Sequence, residues 1–342
     1  MEPTDAVKLL YQHAFGCGHL IEDETRCAQR LEAEQAATPP DDGAAAATPI
    51  GNGLCRLNLA ARAVRALRPA RIAAMMRLTA ESLEGDGDRF EKSLALLCDL
   101  AARGETPFSR EALEAYLTEY RKAGCPAVSH SPAYRAAYRP AYRVVSSDFA
   151  TLLPLISALD QGEGAGVAVL DGCCGAGKTT LADRLSKLYD APVVHMDDFF
   201  LPPALRTPER LAEKGGNLHY ERFFAQVLPF LSRPAPFSYQ RFDCQTGGWL
   251  PRSCPAAPLR VVEGSYALHP RFQAAYGSMG ALTAFLDTEP GEQLRRLKKR
   301  DPERLSRFEA EWIPLEKSYF EAYDIRSRAK LCLHSLPWEG EA

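Results

Sequence analysis

Segment 171–180, which reads DGCCGAGKTT, has the residue types and spacing of a phosphate-binding loop. Gly172, four residues, then Gly177, Lys178 and Thr179 match the pattern G-x-x-x-x-G-K-[ST]. The glycines let backbone N–H groups turn inward around a phosphate, the lysine reaches the terminal phosphates and the threonine hydroxyl ligates Mg²⁺. A helix that starts here adds the positive end of its dipole. The loop residues predicted to contact a nucleoside triphosphate are Gly172, Gly175, Ala176, Gly177, Lys178, Thr179 and Thr180.

Carboxylates follow two later apolar runs. HMDDFF contains Asp197 and Asp198, and VVEGS contains Glu263. A carboxylate beside a phosphate loop can accept a proton from an acceptor hydroxyl and can help to orient Mg²⁺. We therefore expect Thr179, Asp197 and Glu263 to hold the metal. The chain has no N-K-x-D motif for guanine, which disfavours a GTPase.

A basic segment, EQLRRLKKRDPERLSRF, lies near the carboxyl end of the chain. Such a segment can fold over bound phosphates as a lid and neutralise charge during transfer. A solvated basic helix is the structural alternative. Its basic residues are Arg295, Arg296, Lys298, Lys299, Arg300, Arg304 and Arg307.

The elements that must position these residues alternate between strands and helices from about residue 149. GVAVLD, APVVHMDD, LRVVEG, ALTAFLDT and AKLCLHS are predicted strands, and KTTLADRLSKLY is a predicted helix. Apolar runs separated by helices indicate βαβ units and a buried parallel sheet. The predicted fold class is α/β: a doubly wound P-loop kinase domain over 149–342, whose site lies at the carboxyl ends of the strands.

Helical periodicity dominates residues 1–125, which we interpret as an all-helical accessory domain. Within it, residues 36–53 are rich in Pro, Gly and Ala and are expected to form a flexible surface loop. A connector over 126–148 follows, in which Tyr134, Tyr138 and Tyr142 recur every four residues, each followed by arginine. These side chains could contact a nucleotide or could pack against a neighbouring element.

The composition of the 342-residue chain is that of a globular protein, with 46% hydrophobic and 25% charged residues. A net charge of −3 disfavours a nucleic-acid-coating protein, and the absence of a signal peptide or an 18-residue apolar run predicts a cytoplasmic protein. The ten cysteines form no C-x-x-C pair and are expected to be reduced thiols. Cys173 and Cys174 of the loop could be redox-sensitive or could be small residues that fit a tight turn.

Four of these pieces together resemble the uridine kinase family of P-loop small-molecule kinases, whose wider relatives include phosphoribulokinase and bacterial pantothenate kinase. The resemblance covers about 165–334 and is carried by GCCGAGKTT, MDDFF, VVEG and RRLKKRD. It implies ATP as the phosphate donor, Asp197 as catalytic base and Glu263 as the metal-side acid. It also implies a set of lid arginines, with Arg300 in the catalytic role: Arg296, Arg300 and Arg304.

The acceptor region departs from that family. GGNLHYERFF replaces the family's Asp-His-Pro, and YQRFDCQTGGW lacks the His-x-Arg that follows the family's tyrosine. Tyr239 could stack on a base and Asp243 could bond ribose hydroxyls, whereas Arg241 and His219 would suit an anionic acceptor. The predicted substrate contacts are Asp198, His219, Tyr239, Arg241 and Asp243.

The chain is therefore expected to use ATP and Mg²⁺ to phosphorylate a hydroxyl of a small metabolite, a uridine-like nucleoside being the first candidate. A kinase for another polyol or a phosphorylated metabolite remains open. So does a nucleotide-dependent switch or adaptor acting through the helical domain, and a kinase that modifies RNA or nucleotides is a further alternative. The helical domain could also mediate formation of a homo-oligomer.

Overall fold

The computed structural model describes residues 1–21, 23–244 and 246–335, and the chain divides into two compact units. Unit 1 comprises Met1–Ala150, and unit 2 runs from Thr151 through the remaining described residues. The predicted connector 126–148 is part of unit 1, and the division falls two residues after the predicted boundary.

Helices make up most of unit 1. Four of them start at side chains that cap a backbone N–H, namely Asp23, Asp86, Ser109 and Ser131. Their apolar faces form a core around Val7, Phe90, Leu94, Leu113 and Leu117. The helices of the unit are α1 (Pro3–Phe15), α2 (Glu24–Ala37), α3 (Arg62–Arg65), α4 (Pro69–Ser82), α5 (Gly87–Ala102), α6 (Arg110–Lys122) and α7 (Pro132–Tyr138).

Unit 1 also contains a three-stranded antiparallel sheet, so the prediction of an all-helical domain was incomplete. The strands are β1 (Ala47–Gly51), β2 (Leu54–Asn58) and β3 (Tyr142–Ser146), in the order β1-β2-β3. The predicted flexible loop 36–53 thus contains a strand, and Gly51, Asn52 and Gly53 form its tight turn with positive φ angles. The pairing was missed because β2 and β3 come from distant parts of the sequence, with Leu54 opposite Ser146.

Helix α8 (Ser147–Asp160) leads into unit 2, which is built on a five-stranded parallel sheet. The sheet strands are β4 (Val167–Gly172), β5 (Val193–His195), β8 (Arg260–Glu263), β9 (Leu282–Asp287) and β10 (Leu331–His334), in the order β10-β9-β4-β8-β5. All five coincide with predicted strands. A separate antiparallel hairpin is formed by β6 (Phe237–Phe242) and β7 (Trp249–Cys254).

Helices cover both faces of this sheet. Val167 and Val169 of β4 face a core that includes Phe272 and Tyr319, and α9 packs on β4, β5 and β8. Since successive strand residues point to opposite faces, this confirms the doubly wound α/β fold. The helices are α9 (Lys178–Tyr189), α10 (Pro208–Ala212), α11 (Tyr220–Gln226), α12 (Pro270–Met279), α13 (Pro290–Arg300), α14 (Leu305–Arg307), α15 (Ile313–Tyr323) and α16 (Ile325–Arg328).

Strand β4 lies between β8 and β9. After β4 the chain forms β5 and β8 on one side of it, and later forms β9 and β10 on the other side. This is the switch point at which ligands bind in open α/β sheets. None of the helices in the described part of the chain is long and apolar enough to cross a bilayer.

Candidate active site

The loop between β4 and α9 needs glycine at both ends. Gly172 has φ 145°, and a Cβ there would lie 2.1 Å from the Leu286 carbonyl oxygen of β9. Gly177 has φ 101° and is the N-cap of α9. These positions let the backbone turn sharply from the central strand into the helix, as a phosphate-binding loop requires.

Lys178 lies inside this loop with 8% of its surface exposed. Its ammonium group donates to the carbonyl oxygens of Gly172 at 2.7 Å and Cys173 at 3.0 Å, and to the Ser265 hydroxyl at 3.3 Å. The lysine is therefore anchored at the mouth of the loop, on the side where β8 ends.

A buried carboxylate that was not predicted from the sequence is linked to the same lysine. Glu316 of α15 is 5% exposed, and its Oε2 accepts a hydrogen bond from the Cys174 backbone N–H at 2.8 Å. Its Oε1 accepts a hydrogen bond from Ser265, the residue that also contacts Lys178. Glu316 thus ties the loop to the lysine through Ser265. Nothing in the local pattern IPLEKSYF distinguishes this glutamate from a surface residue, and Ser265 was detectable only as the residue after the Glu-Gly pair.

Asp171, the last residue before the loop glycine, is fully buried. Its carboxylate accepts hydrogen bonds from the backbone N–H groups of Gly172, Tyr266 and Leu268 and from the Tyr319 hydroxyl, at 2.7 to 3.2 Å. Burial raises the pKa of Asp171 to about 6 in spite of these bonds. The residue connects β4 to the segment after β8 and to α15.

Oxygen donors suited to a divalent cation converge next to Lys178. The Thr179 hydroxyl lies 3.2 and 3.3 Å from the two carboxylate oxygens of Glu263, which is buried at the end of β8. His195 Nδ1 lies 2.5 Å from Glu263 Oε1, and this hydrogen bond raises the pKa of His195. Hydroxyl and carboxylate oxygens are the ligands that Mg²⁺ prefers, so these residues fit that ion. His195, which ends β5, was not predicted from the sequence.

Asp197 lies in a single 3₁₀ turn, Met196–Phe199, directly after β5. Its side chain reaches solvent at the rim of the site. Partial desolvation, followed by the nearby Glu263 carboxylate, raises the pKa of Asp197. The two predicted metal-side carboxylates are therefore close enough to interact electrostatically, beside the loop.

Asp198 points away from solvent and anchors the β6–β7 hairpin. Its Oδ2 accepts a hydrogen bond from the Tyr239 hydroxyl at 2.9 Å, and its Oδ1 lies 3.4 Å from Arg241 Nε. The Tyr239 ring is itself buried and stacked on Phe199, with 5.3 Å between ring centroids. Arg222 Nη2 donates to the Asp198 carbonyl at 2.8 Å, which is a further contact that the sequence did not reveal. The Tyr239 ring is therefore packed inside the protein and is not exposed for stacking on a base.

The other two predicted substrate contacts support local structure. His219 is the N-cap of α11, where its side chain accepts from the Arg222 backbone N–H. Asp243 lies after β6, and its carboxylate accepts a hydrogen bond from the Thr246 hydroxyl at 2.8 Å.

Helix α13, the first part of the predicted lid, runs along the loop. Arg296 Nη1 donates to the Ala176 carbonyl at 2.9 Å, and Gln293 Nε2 donates to the Cys174 carbonyl at 2.9 Å. Arg300 lies farther along the helix with its guanidinium 5.4 Å from the Phe308 ring centroid, and Arg304 Nε is 3.6 Å from Asp301. In this structure the lid arginine on the loop is therefore Arg296.

The loop thiols are shielded. Burial raises the pKa of Cys173 to about 11 and that of Cys174 to about 12, with the Glu316 carboxylate as the second cause in both. The structure thus opposes the lowered thiol pKa that the redox-sensitive alternative requires.

Comparisons with known proteins give distant structural likenesses. No protein-family model and no curated protein matches the chain. Similar solved structures include a possible uridine kinase from Bacillus stearothermophilus, with 21% identity and a TM-score of 0.40, covering 55% of this chain and 96% of the other. A candidate fructose transport system kinase from Silicibacter sp. TM1040 shares 20% identity with a TM-score of 0.45, over 55% and 98%. Shikimate kinase from Bacteroides thetaiotaomicron shares 18% identity with a TM-score of 0.27, over 49% and 85%. Likenesses this distant assign neither an activity nor a substrate.

The site residues of unit 2 meet at one place in the fold. Unit 2 places a complete G-x-x-x-x-G-K-[ST] loop at the end of the central strand, with Lys178, Thr179, Asp197 and Glu263 gathered around it. Unit 2 is a doubly wound α/β domain with a P-loop at its switch point.

Proposed function

We propose that the chain is an ATP- and Mg²⁺-dependent kinase that phosphorylates a hydroxyl group of a small metabolite. The observation that carries the proposal is the carboxylate pair beside the loop. Glu263 contacts Thr179, and Asp197 stands at the solvent-facing rim within electrostatic reach of both Glu263 and Lys178. A protein that only binds nucleotide has no need of a carboxylate facing an acceptor.

The residues have separate roles in this reaction. The loop amides and Lys178 bind and orient the phosphates, and Arg296 is the arginine best placed to add charge from α13. Thr179, Asp197 and Glu263 would hold Mg²⁺, which supplies neutralisation of phosphate charge. The acceptor oxygen forms a bond to the γ-phosphorus, the bond from that phosphorus to ADP breaks, and Asp197 takes the hydroxyl proton. Arg300 and Arg304 would act only after the lid segment moves.

The acceptor lies on the Asp197 side, where two arginines are close. Burial raises the pKa of the Cys244 thiol, and the Arg206 and Arg241 guanidinium groups oppose this effect while Asp197 and Asp243 add to it. These charges therefore share one neighbourhood. A uridine-like nucleoside remains the first candidate, and a phosphorylated or carboxylated acceptor, which Arg206 or Arg241 could contact, is the second.

Incubation with Mg·ATP and pooled acceptors, followed by mass spectrometry, tests the proposal. We expect a product about 80 Da heavier than one acceptor, the mass of a phosphoryl group. Asp197→Asn should lower the rate by about 10³-fold, whereas Asp183→Asn, which changes an exposed carboxylate on α9, should leave it unchanged.

Two results would overturn the assignment. Near-normal turnover by Asp197→Asn would remove the base from the mechanism. Tight ATP binding without any product from a broad pool would instead favour a nucleotide-dependent switch that acts through unit 1.

A further inference from the structure

In unit 1, polar groups from three segments of the chain meet at one tyrosine hydroxyl. Lys8 Nζ lies 2.9 Å from the Tyr142 hydroxyl, His130 Nε2 lies 3.0 Å from it, and Gln12 Oε1 lies 3.1 Å from it. A tyrosine hydroxyl donates one hydrogen bond and accepts two, so these three contacts use its full capacity. The arrangement fixes Tyr142 and brings the Lys8 ammonium beside it.

The carboxylate of this cluster is already saturated. Asp5 is fully buried and accepts hydrogen bonds from the backbone N–H groups of Glu2 and Ser131 and from the Ser131 hydroxyl, each at 2.8 Å. His130 Nδ1 lies 3.2 Å from the same carboxylate. Asp5 therefore holds the backbone and His130 in place and has little capacity left to pair with the nearby cations.

Those cations outnumber the carboxylates that the described part of the chain places around them. The Arg56 guanidinium lies 4.9 Å from the Tyr142 ring centroid, and its buried Nε has no hydrogen-bond partner among the described residues. Arg143 is paired with Glu34. Burial, followed by the positive charges of Arg56, Arg143 and Arg135, lowers the pKa of Lys8 to about 8.

The local charge balance is positive. Among the described residues that interact with this cluster, the four cations Lys8, Arg56, Arg135 and Arg143 stand against two carboxylates, Asp5 and Glu34, an excess of two positive charges. Gathering like charges in a partly buried place is unfavourable unless an anion joins them. A dianion would neutralise this excess positive charge. Arginine and lysine side chains both form strong hydrogen bonds to phosphate oxygens, so a phosphate group fits the cluster.

The Tyr-Arg connector extends this cluster toward the surface. The Tyr134 ring stacks on His130 with 4.1 Å between centroids, and Tyr138 follows at 4.6 Å from Tyr134. Tyr138 is 65% exposed at the outer end of the stack. The four-residue spacing therefore places two tyrosines on α7 as a stack and puts the third on β3, next to Lys8 and Arg56.

We propose that unit 1 carries a second ligand site, in which Lys8, Arg56 and Arg135 bind the phosphate group of a small molecule beside Tyr142. The exposed Tyr138 ring offers the rest of the ligand a flat surface. This site is separate from the P-loop of unit 2, and its existence does not depend on the proposed kinase activity.

The test uses the full chain carrying Lys178→Ala, so that binding to the P-loop is weakened. Inorganic phosphate, ribose 5-phosphate and a nucleoside monophosphate are titrated separately, with calorimetry and thermal unfolding as readouts. We expect inorganic phosphate to bind and to raise the unfolding temperature, because a ligand that binds only the folded state stabilises it. Tighter binding of one organic phosphate would identify the ligand class, and equal binding of all three would limit recognition to the phosphate.

Variants locate the binding. Arg56→Met and Lys8→Met, each in the Lys178→Ala chain, should weaken phosphate binding by about tenfold or more. Arg62→Met removes a comparable charge from an exposed position of the same unit and should leave the affinity unchanged. The proposal is overturned if both folded variants bind phosphate as well as Arg62→Met does, or if none of the three probes binds the Lys178→Ala chain. Two variants at separate elements keep the test decisive when one of them fails to fold.

Discussion

At the scale of single residues, the P-loop lysine is held by a network rather than by the loop alone. Lys178 contacts Ser265, and Ser265 contacts the buried Glu316, which also binds the Cys174 N–H. The lysine must exchange its carbonyl partners for phosphate oxygens when a nucleotide binds. The hydrogen bond from Lys178 to the Ser265 hydroxyl can hold the ammonium group in place during that exchange.

Removal of the Ser265 hydroxyl should therefore impair the use of ATP. A hydrogen bond to a charged group contributes about 1.5 to 3 kcal/mol, so Ser265→Ala should lower kcat/KM for ATP by about 10- to 100-fold. Ser278→Ala, an exposed serine on α12, is the matched control. Steady-state kinetics would contradict the network if the two variants behaved alike.

Asp171 gives the stability of the protein a pH dependence of known sign. Its pKa is about 6 in the folded chain and about 3.9 in an unfolded one. The folded state therefore binds the proton more tightly, and the resulting stabilisation is complete below about pH 4 and is lost as the pH rises through 6.

Urea unfolding at pH 7 and at pH 5 measures this contribution. The free energy of unfolding should gain about 1 kcal/mol from Asp171 on going to pH 5. His195 and Asp197 also have raised pKa values and change stability in the same direction. The test is therefore the difference from Asp171→Asn, which should lack the gain, while Asp183→Asn should keep it. Equal gains in all three chains would refute the assignment.

Residues in a contiguous motif were predictable, and residues that join the site from elsewhere were not. Lys178 and Thr179 follow from loop spacing, and Asp197 and Glu263 follow from strand ends. Glu316 enters from a helix more than a hundred residues away, so no local pattern marks it. Tyr239 was predicted to stack on a base, but its ring is packed on Phe199 inside the protein.

At the scale of elements, the site depends on how closely β4 and β9 approach each other. Gly172 pairs with Leu286, and a side chain at Gly172 would overlap the Leu286 backbone. The close approach therefore fixes the direction in which the P-loop leaves the sheet.

Gly172→Ala should destabilise unit 2 by about 3 kcal/mol, because the Cβ meets backbone atoms that cannot move aside without breaking the strand pairing. Gly277→Ala is the control, since that glycine lies within α12 with open space around it. Alanine should be neutral or stabilising there. Chemical denaturation that showed equal stability for the two variants would contradict the packing argument.

The two sheets show why some elements could be predicted and others could not. The parallel strands β4 and β8 of unit 2 are buried on both faces and therefore appear as continuous apolar runs. In unit 1, Arg56 interrupts β2 and Tyr142 and Arg143 begin β3, so the strands have no such run. Their pairing depends on contacts across about ninety residues, which local periodicity does not encode.

At the scale of the whole molecule, the net charge of −3 conceals positive groups in both units. The acidic balance disfavours extended nucleic-acid binding, but it places no limit on small sites that bind phosphate. Lys178 lies in the P-loop of unit 2, and Lys8 and Arg56 form the proposed phosphate site of unit 1.

The chain should accordingly bind two equivalents of inorganic phosphate in equilibrium dialysis. Lys178→Ala and Arg56→Met should each remove one equivalent, and the double variant should bind none, because the two sites have no residue in common. Loss of both equivalents in a single variant would show that one site accounts for all the binding.

The shielding of Cys173 and Cys174 also determines which chemical damage the protein can tolerate. A thiol with a pKa of about 11 or 12 is almost entirely protonated at neutral pH, and alkylating agents and peroxides react with thiolates. Cys173 and Cys174 are only partly exposed, whereas Cys332 of the edge strand β10 is exposed. Mild oxidants should therefore modify Cys332 before the loop cysteines, and the nucleotide loop should remain intact although it contains two adjacent cysteines.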